Sequence, residues 1–257
     1  MGVLSNRISR EDLQAGDHVY SWRAAYTYAH HGIYVGDSKV IHFTRGRAEG
    51  ESSKFIDMLL ISSSCSPTAR KCETCNPQQD SYGVICSCLD CFLDGGVLYR
   101  FEYGVSPAFF LAKARGGTCT LAESDPPETV VHRATYLLEK GFGSYNVFKK
   151  NCEDFAIYCK TGLVVIGENV GQSGQAASIL AAIAAVFSSP LRFLTTSIPG
   201  ITAVAGGLYC FSRLATDIAI RRNVTKVPVE NLIVRNSLND LQVMSSVSAV
   251  PVSQVQF

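Results

Sequence analysis

Neither sign of charge dominates this chain. Across 257 residues, 23 Lys and Arg face 22 Asp and Glu, for a formal net charge of +1. That balance excludes the basic footprint that a phosphate backbone demands, so no nucleic-acid partner is expected. No internal repeat is present, which excludes solenoids and propellers. Regular strand–helix alternation is missing too, which argues against a parallel α/β sheet. No apolar run follows a basic start, because Arg7, Arg10, Glu11 and Asp12 come first, so a secretory signal is not expected. Ten cysteines without such a signal suggest reduced thiols, metal ligands or catalysis rather than disulfides. One region lacks charge almost entirely: residues 176–211 hold a single charged side chain, Arg192. The mean hydropathy of +0.13 is correspondingly high for a soluble protein.

What is present reads as α+β, an antiparallel sheet with packed helices. Residues 16–47 are β-rich. His18–Trp22 alternates as a strand does, and Gly32–Gly36 and Val40–Phe43 flank a turn at Asp37-Ser38, which makes a hairpin. Gly83–Cys86 and Gly96–Tyr103 are further strand candidates. Residues 127–140 read as a helix capped by Asp125, with Val130, Val131, Ala134, Leu137 and Leu138 as its apolar stripe and Gly141 as its stop. Three regions are expected. Residues 1–165 form the main domain, with a cysteine-rich insert at about 60–95; residues 166–222 form an apolar helical region; residues 223–257 form a polar, partly disordered tail.

The chemistry concentrates at Asn151-Cys152-Glu153-Asp154. Asn151 suits an N-cap, two acids suit a first turn and Gly162 supplies a stop, so Cys152 opens a helix. A thiol there feels the positive end of the helix dipole, which lowers its pKa from about 8.5. A small buried cysteine is the plain alternative. His30, His31 and His42 lie on the hairpin, and because strand neighbours point to opposite faces, His30 and His31 cannot serve one partner. A cysteine hydrolase needs one imidazole as base and acid, and a further polar group to orient it.

Tyr28-Ala-His30-His-Gly-Ile-Tyr-Val-Gly36, Val40-Ile-His42-Phe43, Asn151-Cys152-Glu-Asp-Phe155 and Tyr158-Cys-Lys-Thr-Gly162 together resemble the lecithin:retinol acyltransferase (LRAT) family. That family is a permuted branch of the NlpC-type papain-like hydrolases. The resemblance covers about Leu13 to Gly162, and the N-terminal block is most similar to plant LRAT-domain proteins of the lead-sensitive type. It implies Cys152 as nucleophile, His30 as base, with His31 in the place of an aromatic, and His42 as the orienting group. It implies acyl transfer without a catalytic cofactor: Cys152 attacks a glycerophospholipid ester, forms a thioester and releases a lysophospholipid. The amide at the helix start would serve as oxyanion donor, worth about 3–4 kcal/mol. Water as acceptor makes a phospholipase, and an amine or alcohol makes an acyltransferase. Two departures stand out. Asp154 occupies a position where many members carry histidine, and Gly32 with His31 alters the surroundings of the base.

Cys72-x2-Cys75 and Cys88-x2-Cys91, twelve residues apart, have four-thiolate spacing suited to tetrahedral structural zinc. Free or regulatory thiols and other thiophilic metals are the alternatives. Residues 193–211 form a charge-free stretch of nineteen residues, long enough to cross ~30 Å of hydrocarbon as a helix. A helical pair buried against the domain, or a helix lying on the surface of a bilayer, are the competing readings. The expectation is a thiol acyltransferase or phospholipase at the cytosolic face of a phospholipid membrane, with a protein partner accommodated by the insert or the tail. The rival is an inactive adaptor with the same domain. His18 reads as a half-exposed strand residue, His132 as a helix-face residue, and Trp22 and Cys159 as packing.

Overall fold

The structure, a computed structural model, describes residues 6–23, 28–44, 72, 83–113, 116–143, 151–165 and 198–232. Cys65, Cys75, most of the insert, residues 176–197 and the tail beyond 232 lie outside the described residues.

Five strands form the main sheet: β1 (His18–Arg23), β2 (Tyr28–Gly36), β3 (Lys39–Thr44), β4 (Gly83–Cys88) and β5 (Tyr99–Arg100). Their order is β4-β3-β2-β1-β5, and every neighbouring pair is antiparallel. Asp37 and Ser38 both take positive φ, at 49° and 54°, so the β2–β3 turn is of the primed type that matches strand twist. Of the expected strand at 96–103, only Tyr99 and Arg100 pair as a strand.

Register assigns the faces. Ser21 lies opposite His30 and Gly32 opposite His42. Val19, Ser21, His30, Gly32, Val40, His42 and Ser87 therefore share one face. Helix α1 (Leu89–Leu93) covers that face, and Leu89, Phe92 and Leu93 pack with Val19, Val40 and Leu98. The Arg23 guanidinium donates to the carbonyls of Phe92 and Leu93 and so pins the end of α1 to β1.

The opposite face carries Ile33, Ile41 and Phe43. They pack on helices α3 (Pro127–Lys140) and α4 (Cys152–Thr161), which follow a short α2 (Pro107–Ala112). Val130, Ala134 and Leu137 are buried, as the stripe predicts, while Val131 and Leu138 are only partly covered. The cap of α3 differs from expectation. Pro126 holds the N-cap position without a side-chain bond, and Asp125 instead pairs with Arg133, at 2.7 Å, and with Lys226, at 2.6 Å. Arg133 also donates to the Cys159 carbonyl, at 3.0 Å, so the carboxylate is occupied in tying α3, α4 and the C-terminal chain together.

Helix α5 spans Ile198–Thr216, and a second sheet pairs β6 (Leu163–Val165) with β7 (Val224–Lys226). Beyond β7, Val229 and Leu232 enter the main core. The end of α5 docks on the domain. Arg213 donates to the Lys113 carbonyl and lies 4.6 Å over the Phe110 ring, and the Asp217 carboxylate accepts from Thr120, at 2.8 Å. Among the described residues, no helix is long and apolar enough to cross a membrane.

Candidate active site

The head of α4 is built as its sequence dictates. Asn151 Oδ1 accepts from the amides of Glu153 and Asp154, at 2.9 and 3.1 Å, and Asp154 Oδ2 accepts from the Asn151 amide, at 2.9 Å. This reciprocal capping box gives Asp154 a structural task at the head of the helix. Gly162 closes the helix in the left-handed conformation, φ 67°. Cys152 thus stands, buried, at the first helical position.

The sheet brings His30 and His42 together. His30 Nε2 lies 2.9 Å from His42 Nδ1, with the rings nearly perpendicular, and His42 Nε2 lies 2.9 Å from Ser87 Oγ. Phe92 roofs both rings. Ser87 was invisible to sequence reasoning, because a strand serine 45 residues from its partner carries no signal until β4 pairs with β3. If His30 Nε2 donates to His42 and His42 Nε2 donates to Ser87, His30 Nδ1 is left as an acceptor. It is buried and has no hydrogen-bond partner among the described residues. Burial first, then His42 and Arg23, hold His30 well below the usual imidazole pKa, and burial with Arg23 brings His42 to about 3. Both rings are therefore neutral at physiological pH.

Cys152 meets this arrangement from the other side. Its helix packs on the face opposite His30 and His42, and its thiol lies 3.8 Å from the carbonyl of Ala29, the residue next to His30. The thiol reaches β2 at the main chain rather than across a shared face, a juxtaposition that strand parity alone did not reveal.

His31 takes its own place on the α4 face. It stacks on Tyr20, and its Nδ1 lies 2.9 Å from His18 Nε2, while His18 Nδ1 lies 2.7 Å from the Tyr103 hydroxyl. His18 is therefore fully buried rather than half-exposed, because a second histidine and a tyrosine satisfy both its nitrogens. His132 is exposed beside Glu230, and Trp22 and Cys159 are packing residues, as expected. Glu153, next to Cys152, is pushed up to about 8 by burial and by Asp154, so it carries a proton at neutral pH. Of the four cysteines with metal-ligand spacing, Cys72, Cys88 and Cys91 come together, their sulfurs within 4.8 Å of one another.

An antiparallel sheet holding a buried histidine pair, with a cysteine-headed helix against its central strand, makes an α+β domain that carries the motifs of the resemblance. Residues 11–165 match the family model for lecithin retinol acyltransferase, and the chain belongs to the LRAT family. It is also 59% identical over 246 residues to Protein LEAD-SENSITIVE 1 of Arabidopsis thaliana, an alignment that covers 95% of each chain. The match agrees with the resemblance carried by the N-terminal block.

Two outcomes follow from this geometry. A Cβ on Gly32 would lie 2.6 Å from Val40 Cγ1, 3.0 Å from Phe92 and 3.1 Å from His42 Cβ. Gly32→Ala is expected to cost about 1–3 kcal/mol through overpacking, read as a lower thermal midpoint. Acid should also destabilise the fold. His31 and His42 titrate near 3 when folded, against about 6.5 unfolded, so below about pH 6.5 the unfolded chain binds protons that the folded one excludes. Stability then falls by up to about 1.4 kcal/mol per pH unit for each histidine, down to about pH 3. Urea unfolding from pH 7 to 5 should show this slope, and His31→Phe should reduce it.

Proposed function

We propose that this LRAT-family protein is a phospholipid acyltransferase or phospholipase that works through a thioester on Cys152, in a permuted papain-like arrangement where the histidine strands precede the cysteine helix. The observation that carries the reading is the relay from Ser87 through His42 to His30. With His30 Nε2 donating to His42, the relay leaves His30 Nδ1 as an acceptor, and the Cys152 thiol contacts the carbonyl of Ala29, the residue next to His30 in the chain. A neutral imidazole held by a second group is what a general base requires.

In the proposed cycle, His30 Nδ1 takes the thiol proton and the Cys152 sulfur attacks the ester carbonyl of a glycerophospholipid. The carbon–sulfur bond forms, the ester carbon–oxygen bond breaks, and His30 passes its proton to the departing lysophospholipid oxygen. Water, an amine or an alcohol then attacks the thioester carbonyl and gives its proton to His30; the carbon–sulfur bond breaks, and His30 returns the proton to the departing Cys152 sulfur. The Cys152 amide at the head of α4 is the natural donor to the oxyanion, while Asn151 engages the next two amides. His42 and Ser87 hold the tautomer and orientation of His30 and do not touch substrate.

The proposed workplace is the cytosolic face of a phospholipid membrane. Phe211 on α5 and Ile220 just beyond it are 70% and 46% exposed, apolar side chains suited to lying in a bilayer surface. Full-length protein incubated with phosphatidylcholine vesicles should gain one fatty-acyl mass, removed by hydroxylamine and absent in Cys152→Ala. Folded protein that yields neither adduct nor lysophospholipid would reject the reading in favour of a non-catalytic binding domain.

A further inference from the structure

A thiol cluster stands outside the proposed reaction. Cys72 Sγ lies 3.6 Å from Cys88 Sγ, across sixteen residues of chain, and Cys91 Sγ lies within 4.8 Å of both. Four sulfurs at about 2.3 Å from a tetrahedral zinc ion stand roughly 3.8 Å apart, so the Cys72–Cys88 separation is that of two ligands on one ion, with Cys91 within reach of the same ion. A disulfide would need about 2.05 Å. The cluster has the second feature of a metal knuckle as well: the Cys91 amide points at Cys88 Sγ, 3.5 Å away, the contact that steadies a thiolate. That turn is fixed from outside, because Arg10 pairs with Asp90 between the two cysteines.

We propose that Cys72, Cys88 and Cys91 bind one divalent zinc ion as thiolates, with the fourth position open to a further ligand, and that this ion clamps the corner where β4 enters α1. Thiolate sulfur selects thiophilic metals over calcium or magnesium, and compact tetrahedral spacing suits zinc. The corner it would clamp carries Ser87, which holds His42, and Phe92, which roofs His30 and His42. The metal would thereby brace the histidine relay from the residues next to Ser87 and Phe92, without entering the chemistry. Binding exchanges three thiol protons for one ion and needs no redox partner.

The test uses full-length protein, reduced and stripped with chelator, then reloaded with zinc or with cobalt as a spectroscopic probe. The expected result is one zinc per chain by native mass spectrometry, a higher thermal midpoint on loading, and a cobalt form with thiolate charge-transfer bands and intense tetrahedral d–d bands. Cys88→Ser with Cys91→Ser should abolish stoichiometric zinc, whereas Cys86→Ser, at an exposed neighbouring thiol, should retain it. The cobalt spectrum of the unaltered protein stands even if the double variant fails to fold. Sub-stoichiometric zinc, an octahedral cobalt spectrum, a Cys72–Cys88 disulfide in freshly isolated protein, or zinc unaffected in a folded double variant would each overturn the proposal. None of these readouts involves acyl transfer, so the metal site and the thioester reading fail separately.

Discussion

The histidine relay buried between the sheet and α1 is the constraint on which the rest of the structure turns. Two imidazoles and a hydroxyl are taken out of water there, and the bonds between them offset that cost at every ring nitrogen but His30 Nδ1, which has no partner among the described residues. The pairing needs β2, β3 and β4 in one register, since a shift of one residue would send His42 to the other face. It needs Gly32, whose missing side chain lets Phe92 close over the rings. It needs α1 held down, which Arg23 does through the carbonyls of Phe92 and Leu93.

The second face solves a different problem. Helix α4 must present Cys152 at its first turn while burying nearly all of its length, and the Asn151–Asp154 capping box lets that buried end satisfy its amides internally. Arg133 ties α4 to α3 and, through Asp125, to Lys226 in β7. The chain after Gly162 is in this way drawn into the same body, with Val229 and Leu232 completing the core that supports the cysteine helix. The thiol and His30 approach β2 from opposite faces, and the thiol reaches the strand at the carbonyl of Ala29, next to His30.

Much of this was legible beforehand, for local reasons. The extent of α3, the Asn151 cap, the Gly162 stop and the Asp37-Ser38 turn follow from side chains acting within a few residues of themselves. Strand parity allowed only one of His30 and His31 to face His42, and the family motif pointed to His30. What was not legible depends on distant chain. Ser87 acquires its role only when β4 joins the sheet. Asp125 is drawn from the expected cap by Arg133 and Lys226, and His18 is buried because His31 and Tyr103 await it. The Cys-x2-Cys spacing signalled a cluster, and three of its members do converge.

The central claim is that His30 acts on the Cys152 thiol, and the alkylation rate of Cys152 at neutral pH tests it most directly. A small iodoacetamide probe, with labelling at Cys152 resolved by peptide mass, should label the full-length protein readily at neutral pH, where the neutral His30 can take the thiol proton. In a folded His30→Gln variant labelling at the same pH should be slower, because that base is gone. Equal rates for the two proteins would mean that the imidazole does not govern the thiol, and would contradict the account.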